Sequence, residues 1–225
     1  MGRFMVVAVD GPAGAGKSTI CRLLAEILGF VYLDTGAMYR AIAWGLLRQG
    51  VSSEKDPRIA GALAALPVVF DFDGSSLVMT YDGRPLGDEI RGPEITQWAS
   101  RFSQNESVRS YLTGQQRLLG EKGPIVAEGR DVTTVVFPAA AVKIFLTADL
   151  AVRTNRRLAE YRMKGVEVDY AELESQIHAR DEADSKRELA PLRVAPGAFF
   201  LDTSHLEPSE VVARIREYIG ERFRK

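Results

Sequence analysis

The chain is poor in the residues that cross-link small folds or hold metals, with one cysteine and two histidines in 225 residues. A lone Cys21 excludes any disulfide within the chain, and a free thiol suits a reducing compartment. His178 and His205 stand apart, with no cluster of Cys, His and carboxylates at metal-ligand spacing. Long apolar runs are also missing, since no stretch approaches the roughly 20 residues a membrane helix needs. Neither charge sign dominates: 29 Lys plus Arg stand against 30 Asp plus Glu. That near-neutrality argues against nucleic-acid polymers or anionic membranes as partners through bulk charge. The segment Met1–Asp10 lacks a signal-peptide cleavage site, so a cytoplasmic protein is expected.

Apolar residues make up 46% of the chain, enough for a folded core. The length suits a single α/β domain spanning residues 1–225. Phe4–Val9 is a continuous Val-rich run, as in a parallel strand buried on both faces. Lys17–Leu28 carries Ile20, Leu23, Leu24, Ile27 and Leu28 at helical spacing, with Gly29 as cap. A second helix is expected over 37–49, opened by Asp34 or Thr35 and closed by Gly50. Between Pro67 and Leu86 the period changes to two, broken by turns at Asp73-Gly74-Ser75 and Asp82-Gly83. This pattern predicts antiparallel hairpins in a small inserted subdomain. Two helices over 93–119 follow, then strands at 124–127 and 141–146. Two helices about a Lys164-Gly165 break come next, then a strand at 199–201 and a helix over 208–222. Strands alternating with helices give the expected fold class: α/β, a parallel sheet flanked by helices.

The chemistry begins at Gly11-Pro12-Ala13-Gly14-Ala15-Gly16-Lys17-Ser18, which satisfies G-x-x-x-x-G-K-[ST] in full. Glycines let successive backbone N–H groups turn into one cavity, and the helix starting near Lys17 adds its positive end. Lys17 is placed to reach the β- and γ-phosphates of a nucleoside triphosphate, and the Ser18 hydroxyl to meet Mg²⁺. A buried strand before the loop and an amphipathic helix after it supply the context the motif requires.

A phosphate loop alone leaves switches, motors and small-molecule kinases open. The absence of an Asn-Lys-x-Asp string weighs against a GTPase. A kinase acting on a phosphorylated acceptor must bring two polyanions together, which calls for several arginines about the loop. Arg40, Arg109, Arg130, Arg153, Arg156 and Arg157 meet that need. Arg130 and Asp131 follow a strand at the sheet's carboxyl end, where such sheets bind ligands. Arg180, Asp184 and Arg187 are spaced to line one face of a helix. On these grounds acceptors such as UMP, AMP or shikimate stay open, as does a nucleotide-sensing switch acting through the hairpin insertion.

Five strings occur in order: Asp10 through Thr19, Leu33-Asp34-Thr35-Gly36-Ala37-Met38-Tyr39-Arg40, Glu128 through Pro138, Val142 through Leu146, and Arg180-Asp181-x-x-Asp184. With Ala190-Pro191-Leu192 they resemble the bacterial cytidylate kinase family over essentially the whole chain. The resemblance implies a P-loop kinase core over 1–36, 105–150 and 188–225. A monophosphate-binding region with the β insertion would occupy about 37–104, and a helical lid about 151–187. It implies γ-phosphoryl transfer from ATP, bound by Gly11 through Thr19 with Mg²⁺, to CMP or dCMP. Ser100, Arg109 and Asp131 would read cytosine, while Arg40 and Arg130 would clamp the acceptor phosphate. Arg180, Asp184 and Arg187 would hold pentose and phosphates, with Thr35 close to the base. Lys17, Arg130 and the lid residues Arg153 and Arg157 would assist transfer. Thr35 stands where some members have serine, and Glu128 where others have aspartate. A monomer is expected. Cys21, Trp44 and Trp98 read as packing residues, and Asp169, Glu172 and Glu174 as a solvated helix face.

Overall fold

A computed structural model describes residues 5–163 and 165–223; Lys164 of the expected lid break, and Phe4, the first residue of the expected first strand, lie outside them. The Val-rich run forms β1 (Val6–Asp10), followed by α1 (Lys17–Leu28), which ends on Gly29 as expected. Then come β2 (Val31–Asp34) and α2 (Thr35–Arg48). This helix begins two residues before the expected start because the Asp34 carboxylate accepts from the Ala37 amide at 2.8 Å and caps it. A short helix not foreseen from the sequence, α3 (Ile59–Ala64), buries only Ile59 and Leu63. Six residues are too few to establish a period.

The hairpin strands are β3 (Val68–Asp73), β4 (Ser76–Tyr81) and the two-residue β5 (Arg84–Pro85). They are not set apart from the main sheet. Their antiparallel pair is joined to it where Ser76 pairs in parallel with Tyr32. Helices α4 (Pro93–Phe102) and α5 (Glu106–Gly120) lead to β6 (Ile125–Gly129). After it comes one wide π-turn over Val132–Val136. Strand β7 (Val142–Thr147), the paired helices α6 (Leu150–Met163) and α7 (Tyr170–Lys186), β8 (Phe199–Asp202) and α8 (Pro208–Phe223) complete the fold.

The sheet order is β3-β4-β2-β6-β1-β7-β8, with β5 beside β4. Strands β2, β6, β1, β7 and β8 all run parallel. The pleat sends alternate residues into two cores. Ala8, Ile125 and Ala127 face a layer made by α2, α3, α4 and α5. Val7, Val9 and Val126 face α1 and α8. A third, small cluster of Leu158, Leu173 and Ile177 joins α6 to α7 and touches Ala13 of the phosphate loop. Because β1 sits centrally, its loop opens between the α6–α7 pair on one side and the end of β6 on the other. This is the arrangement in which parallel sheets bind ligands at their carboxyl ends.

Candidate active site

A cleft of about 1780 Å³ runs along the carboxyl edge of the sheet from the phosphate loop to the β4 and α4 surface. Its floor is set by close backbone packing. A Cβ on Gly11 would lie 2.0 Å from the Leu146 carbonyl oxygen of β7, so no larger residue fits there. Lys17 is 6% exposed, and its Nζ donates to the Pro12 carbonyl across the loop at 2.7 Å. Burial first, and then the positive charge of Arg130, lower its amine to about 7, while Glu128 opposes the shift. An amine so poised becomes fully cationic when phosphate oxygens approach.

Glu128, the penultimate residue of β6, interacts electrostatically with this amine. Its carboxyl group is raised above the usual range by burial and by Asp34, while Lys17, the Tyr32 hydroxyl and the Ser18 hydroxyl lower it. Tyr32 donates to Glu128 Oε1, and the Thr35 hydroxyl donates to the Glu128 carbonyl at 2.6 Å. Thr35 thus spends its hydroxyl on backbone, while its position at the start of α2 keeps it beside Gly129. A Cβ on Gly129 would come within 2.6 Å of the Thr35 Oγ1 and of Val132 Cγ2, so a glycine is required at this crossing.

Beyond Gly129 the arginines expected from the sequence converge. Arg130 Nε donates to Asp184 Oδ2 at 2.8 Å. Arg109 from α5 forms a buried ion pair with Asp131 and donates to the Ser103 carbonyl at 3.1 Å. Arg187 lies 3.6 Å from Asp131 and 3.7 Å from Asp184, so one guanidinium bridges the two carboxylates. One detail corrects the expectation that Arg180, Asp184 and Arg187 share a helix face. Helix α7 stops at Lys186, and Arg187 is extended at φ −63 and ψ 143. It stays near Asp184 because its Nε is tied back to the Ala190 carbonyl at 2.6 Å.

Arg187 Nη2 is buried with no hydrogen-bond partner, and so is Arg180 Nε. Burial, and then the neighbouring Arg130, lower the Arg180 guanidinium to about 10. Arg40 of α2 leans on Asp34 at 3.3 Å. Four arginines (Arg40, Arg130, Arg180 and Arg187) therefore border a space where the carboxylates are already engaged, and an anionic phosphate group would complete it. Ser100 of α4 lines the cleft, and its carbonyl accepts from the Ser103 hydroxyl at 2.7 Å.

The two α6 arginines expected to assist transfer diverge. Arg157 is half exposed, bonding Glu160 at 2.7 Å and lying over the Tyr161 ring. Arg153 is buried and occupied by structure. It donates to the Ala148 carbonyl at 2.8 Å and the Ala13 carbonyl at 3.0 Å, and it pairs with Asp181. Asp181 in turn accepts from the Ala13 amide at 3.1 Å. Arg156 binds the Thr203 hydroxyl and carbonyl at 3.0 and 2.6 Å and passes close to Gly16.

Sequence reasoning assigned no role to Asp181, Tyr39 or Asp10. Tyr39 lines the cleft, and burial pushes its hydroxyl up to about 12, with the Arg109 charge opposing and Asp131 adding to the rise. Asp10 is fully buried and accepts from the Val132 amide (2.8 Å) and from the Thr133 amide (2.8 Å) and hydroxyl (2.5 Å). All three lie within the segments Asp10–Thr19, Leu33–Arg40 and Arg180–Asp184 that carry the family resemblance, and Asp10 carried one further signal: a carboxylate directly before a phosphate loop, on an otherwise apolar strand, needs buried donors.

The family profile described as Cytidylate kinase matches residues 7–221. The cytidylate kinase of Thermosipho melanesiensis is 45% identical over 216 residues, 96% of this chain and 97% of that protein. That of Geobacter sulfurreducens is 42% identical over 222 residues, 99% of this chain and 95% of that protein. In shape, the chain is similar to the crystal structure of an uncharacterized protein from Eubacterium ventriosum, with TM-score 0.51 at 14% identity over 96% of this chain and 98% of that one, a likeness of fold alone. Profile and relatives agree over nearly the whole length of a chain whose phosphate loop faces an arginine-lined pocket, and the chain belongs to the cytidylate kinase family.

Proposed function

We propose that the protein transfers the γ-phosphoryl group of ATP to CMP or dCMP, giving the diphosphate and ADP. The observation that carries this reading is the unpartnered Arg180 Nε among Arg130 and the Asp184 carboxylate, opposite Lys17 across one cleft. A second phosphate site next to a phosphate loop suits a kinase of a phosphorylated acceptor.

The acceptor phosphate is already ionised, so its oxygen attacks the γ-phosphorus without a strong general base. The protein's work is to position and to offset charge. Lys17 holds the transferred group, Arg40, Arg130 and Arg180 hold the acceptor phosphate, and Arg157 closes over both from the lid. Asp131, fixed by Arg109, accepts from the cytosine amino group, and the arginine and Ser100 meet its acceptors. Closure of the α6–α7 lid excludes water and so suppresses ATP hydrolysis.

Among the described residues no group of three or more His, Cys, Asp or Glu could hold a metal. The Ser18 hydroxyl beside the Glu128 carboxyl is nevertheless a fit for Mg²⁺, which binds few protein oxygens and keeps its remaining contacts to water and phosphate. When bound there, Mg²⁺ would offset charge on the donor phosphates. Among the described residues no helix is long and apolar enough to cross a membrane. We read the protein as a cytoplasmic monomer.

A coupled ADP-release assay with ATP and each of CMP, dCMP, UMP, AMP and shikimate tests the reading. CMP and dCMP are expected to give the highest kcat/KM. Turnover highest with another acceptor, or with none, overturns it.

A further inference from the structure

We infer that Asp10 is a positioning residue that fixes the acceptor-reading segment to the phosphate-loop strand, and so sets the discrimination between acceptor bases. The inference rests on the proposed phosphoryl transfer to a pyrimidine monophosphate. Asp10 is the last residue of β1, directly before Gly11, and pairs in register with Gly129 of β6. The chain must leave the sheet after Gly129, and Arg130 and Asp131 lie on that departure. Asp10 captures the next two amides, Val132 N and Thr133 N, at 2.8 Å each, and the Thr133 hydroxyl at 2.5 Å. Three donors converge on one carboxylate with no cation among them.

The far end of the same segment is held independently. The Asp131 carbonyl accepts from Val135 N at 2.8 Å and Val136 N at 3.2 Å, closing the wide turn. Arg117 donates to the Val136 and Val135 carbonyls at 3.0 and 2.8 Å. Arg117 lies on α5, the helix that also brings Arg109 to the Asp131 side chain. The backbone carrying Asp131 is therefore clamped between β1 in front and α5 behind. Of the two clamps, only Asp10 refers the acceptor reader to the donor loop, one residue away from Gly11. The buried carboxylate gives the two substrates a common frame, which in-line transfer needs.

Asp10→Asn keeps the side-chain shape but offers one acceptor oxygen, and its NH₂ opposes one of the two amide donors. Thr133→Val removes the hydroxyl bond alone and leaves both amide bonds. Steady-state kinetics with CMP and with UMP, and binding of a non-hydrolysable ATP analogue without acceptor, are measured for the wild type and both variants. For Asp10→Asn the expected result is a KM for CMP raised about tenfold. Its CMP-to-UMP ratio of kcat/KM should fall several-fold, while affinity for the ATP analogue stays within about twofold. Thr133→Val is expected to move the same quantities in the same direction by about threefold or less.

If Asp10→Asn lowers thermal stability while the CMP-to-UMP ratio is unchanged, Asp10 is only structural and the inference is overturned. If Asp10→Asn does not fold, Thr133→Val decides: a changed ratio with unchanged analogue affinity supports the inference, and an unchanged ratio overturns it. The wild type's own acceptor preference tests the proposed function separately. The change in that preference on substitution tests Asp10.

Discussion

The Arg153 guanidinium of α6 donates to the carbonyl of Ala13, inside the phosphate loop, at 3.0 Å. Ala13 also gives its amide to Asp181, the carboxylate that pairs with Arg153. The middle of the loop is thus laced to both α6 and α7 through one partly buried ion pair. Arg153 thus braces the phosphate loop from behind, whereas Arg157, four residues on, pairs with Glu160 at the surface.

Arg153→Met is therefore expected to damage stability and donor binding together. It strands the Asp181 carboxylate, and breaking such a pair costs roughly 3 kcal/mol. Thermal denaturation should show a clear fall in Tm, and the KM for ATP should rise more than that for CMP. Arg157→Ala is expected to behave in the opposite way. Its exposed pair with Glu160 adds little, so Tm should hardly move, while kcat falls by about 100-fold or more if it offsets charge in transfer. Equal effects of the two variants on Tm and kcat would contradict this division.

Asp131 is expected to govern base choice. In Asp131→Asn the amide offers NH₂ where the cytosine amino group needs an acceptor, and it leaves Arg109 and Arg187 facing a neutral group. The preference for CMP over UMP should fall by about 10- to 100-fold in kcat/KM. Stability should also fall by about 3 kcal/mol, because buried guanidinium charge loses its partner. A variant that retains the wild-type ratio would remove Asp131 from base reading.

ATP binding is expected to take up a proton at pH 8. The buried Lys17 amine is lowered to about 7, so at pH 8 most of it is neutral in the free protein. Triphosphate oxygens favour the charged form and raise its pKa again, so binding draws a proton from the buffer. Isothermal titration calorimetry at pH 8, in buffers of different ionisation enthalpy, should report uptake approaching one proton. Lys17→Met should abolish that uptake. Uptake of the same size in the variant would place the proton elsewhere.

Asp10 should make the protein less stable as pH rises through the weakly acidic range. Burial raises its carboxyl to about 6 despite three hydrogen bonds, against an ordinary value of 3.8. The folded state then binds more protons than the unfolded state between those values. This contribution is complete below about 4 and is lost as pH climbs through about 6, by roughly 3 kcal/mol at most. In chemical denaturation from pH 7 down to pH 4, the wild type should gain stability relative to Asp10→Asn. A constant difference between the two would show that the Asp10 carboxyl titrates normally.

Local pattern was enough for much of this molecule. Helix α1 occupies the expected residues because its apolar spacing and Gly29 cap agree, and both act within one or two turns. The hairpin turns at Gly74 and Gly83 fell where dipeptide chemistry put them. Helix α3 went unread because two buried side chains in six residues define no period. The hairpin's attachment was equally illegible, since one pairing of Ser76 with Tyr32 leaves no trace in either strand's alternation.

The sequence by itself determined the phosphate loop, the alternation of strands and helices, and the set of arginines beside it, because each is written in neighbouring residues. Only tertiary structure decided their employment. Arg153 and Arg157 lie four apart on one helix, yet burial and the carbonyls of Ala13 and Ala148 hold one while the other stays half exposed. Arg187 reaches its carboxylates from outside the helix that was expected to carry it. Asp10 meets Thr133 across 123 positions of chain. Such pairings follow from which polar groups the folded sheet deprives of water, and local residue order does not encode that.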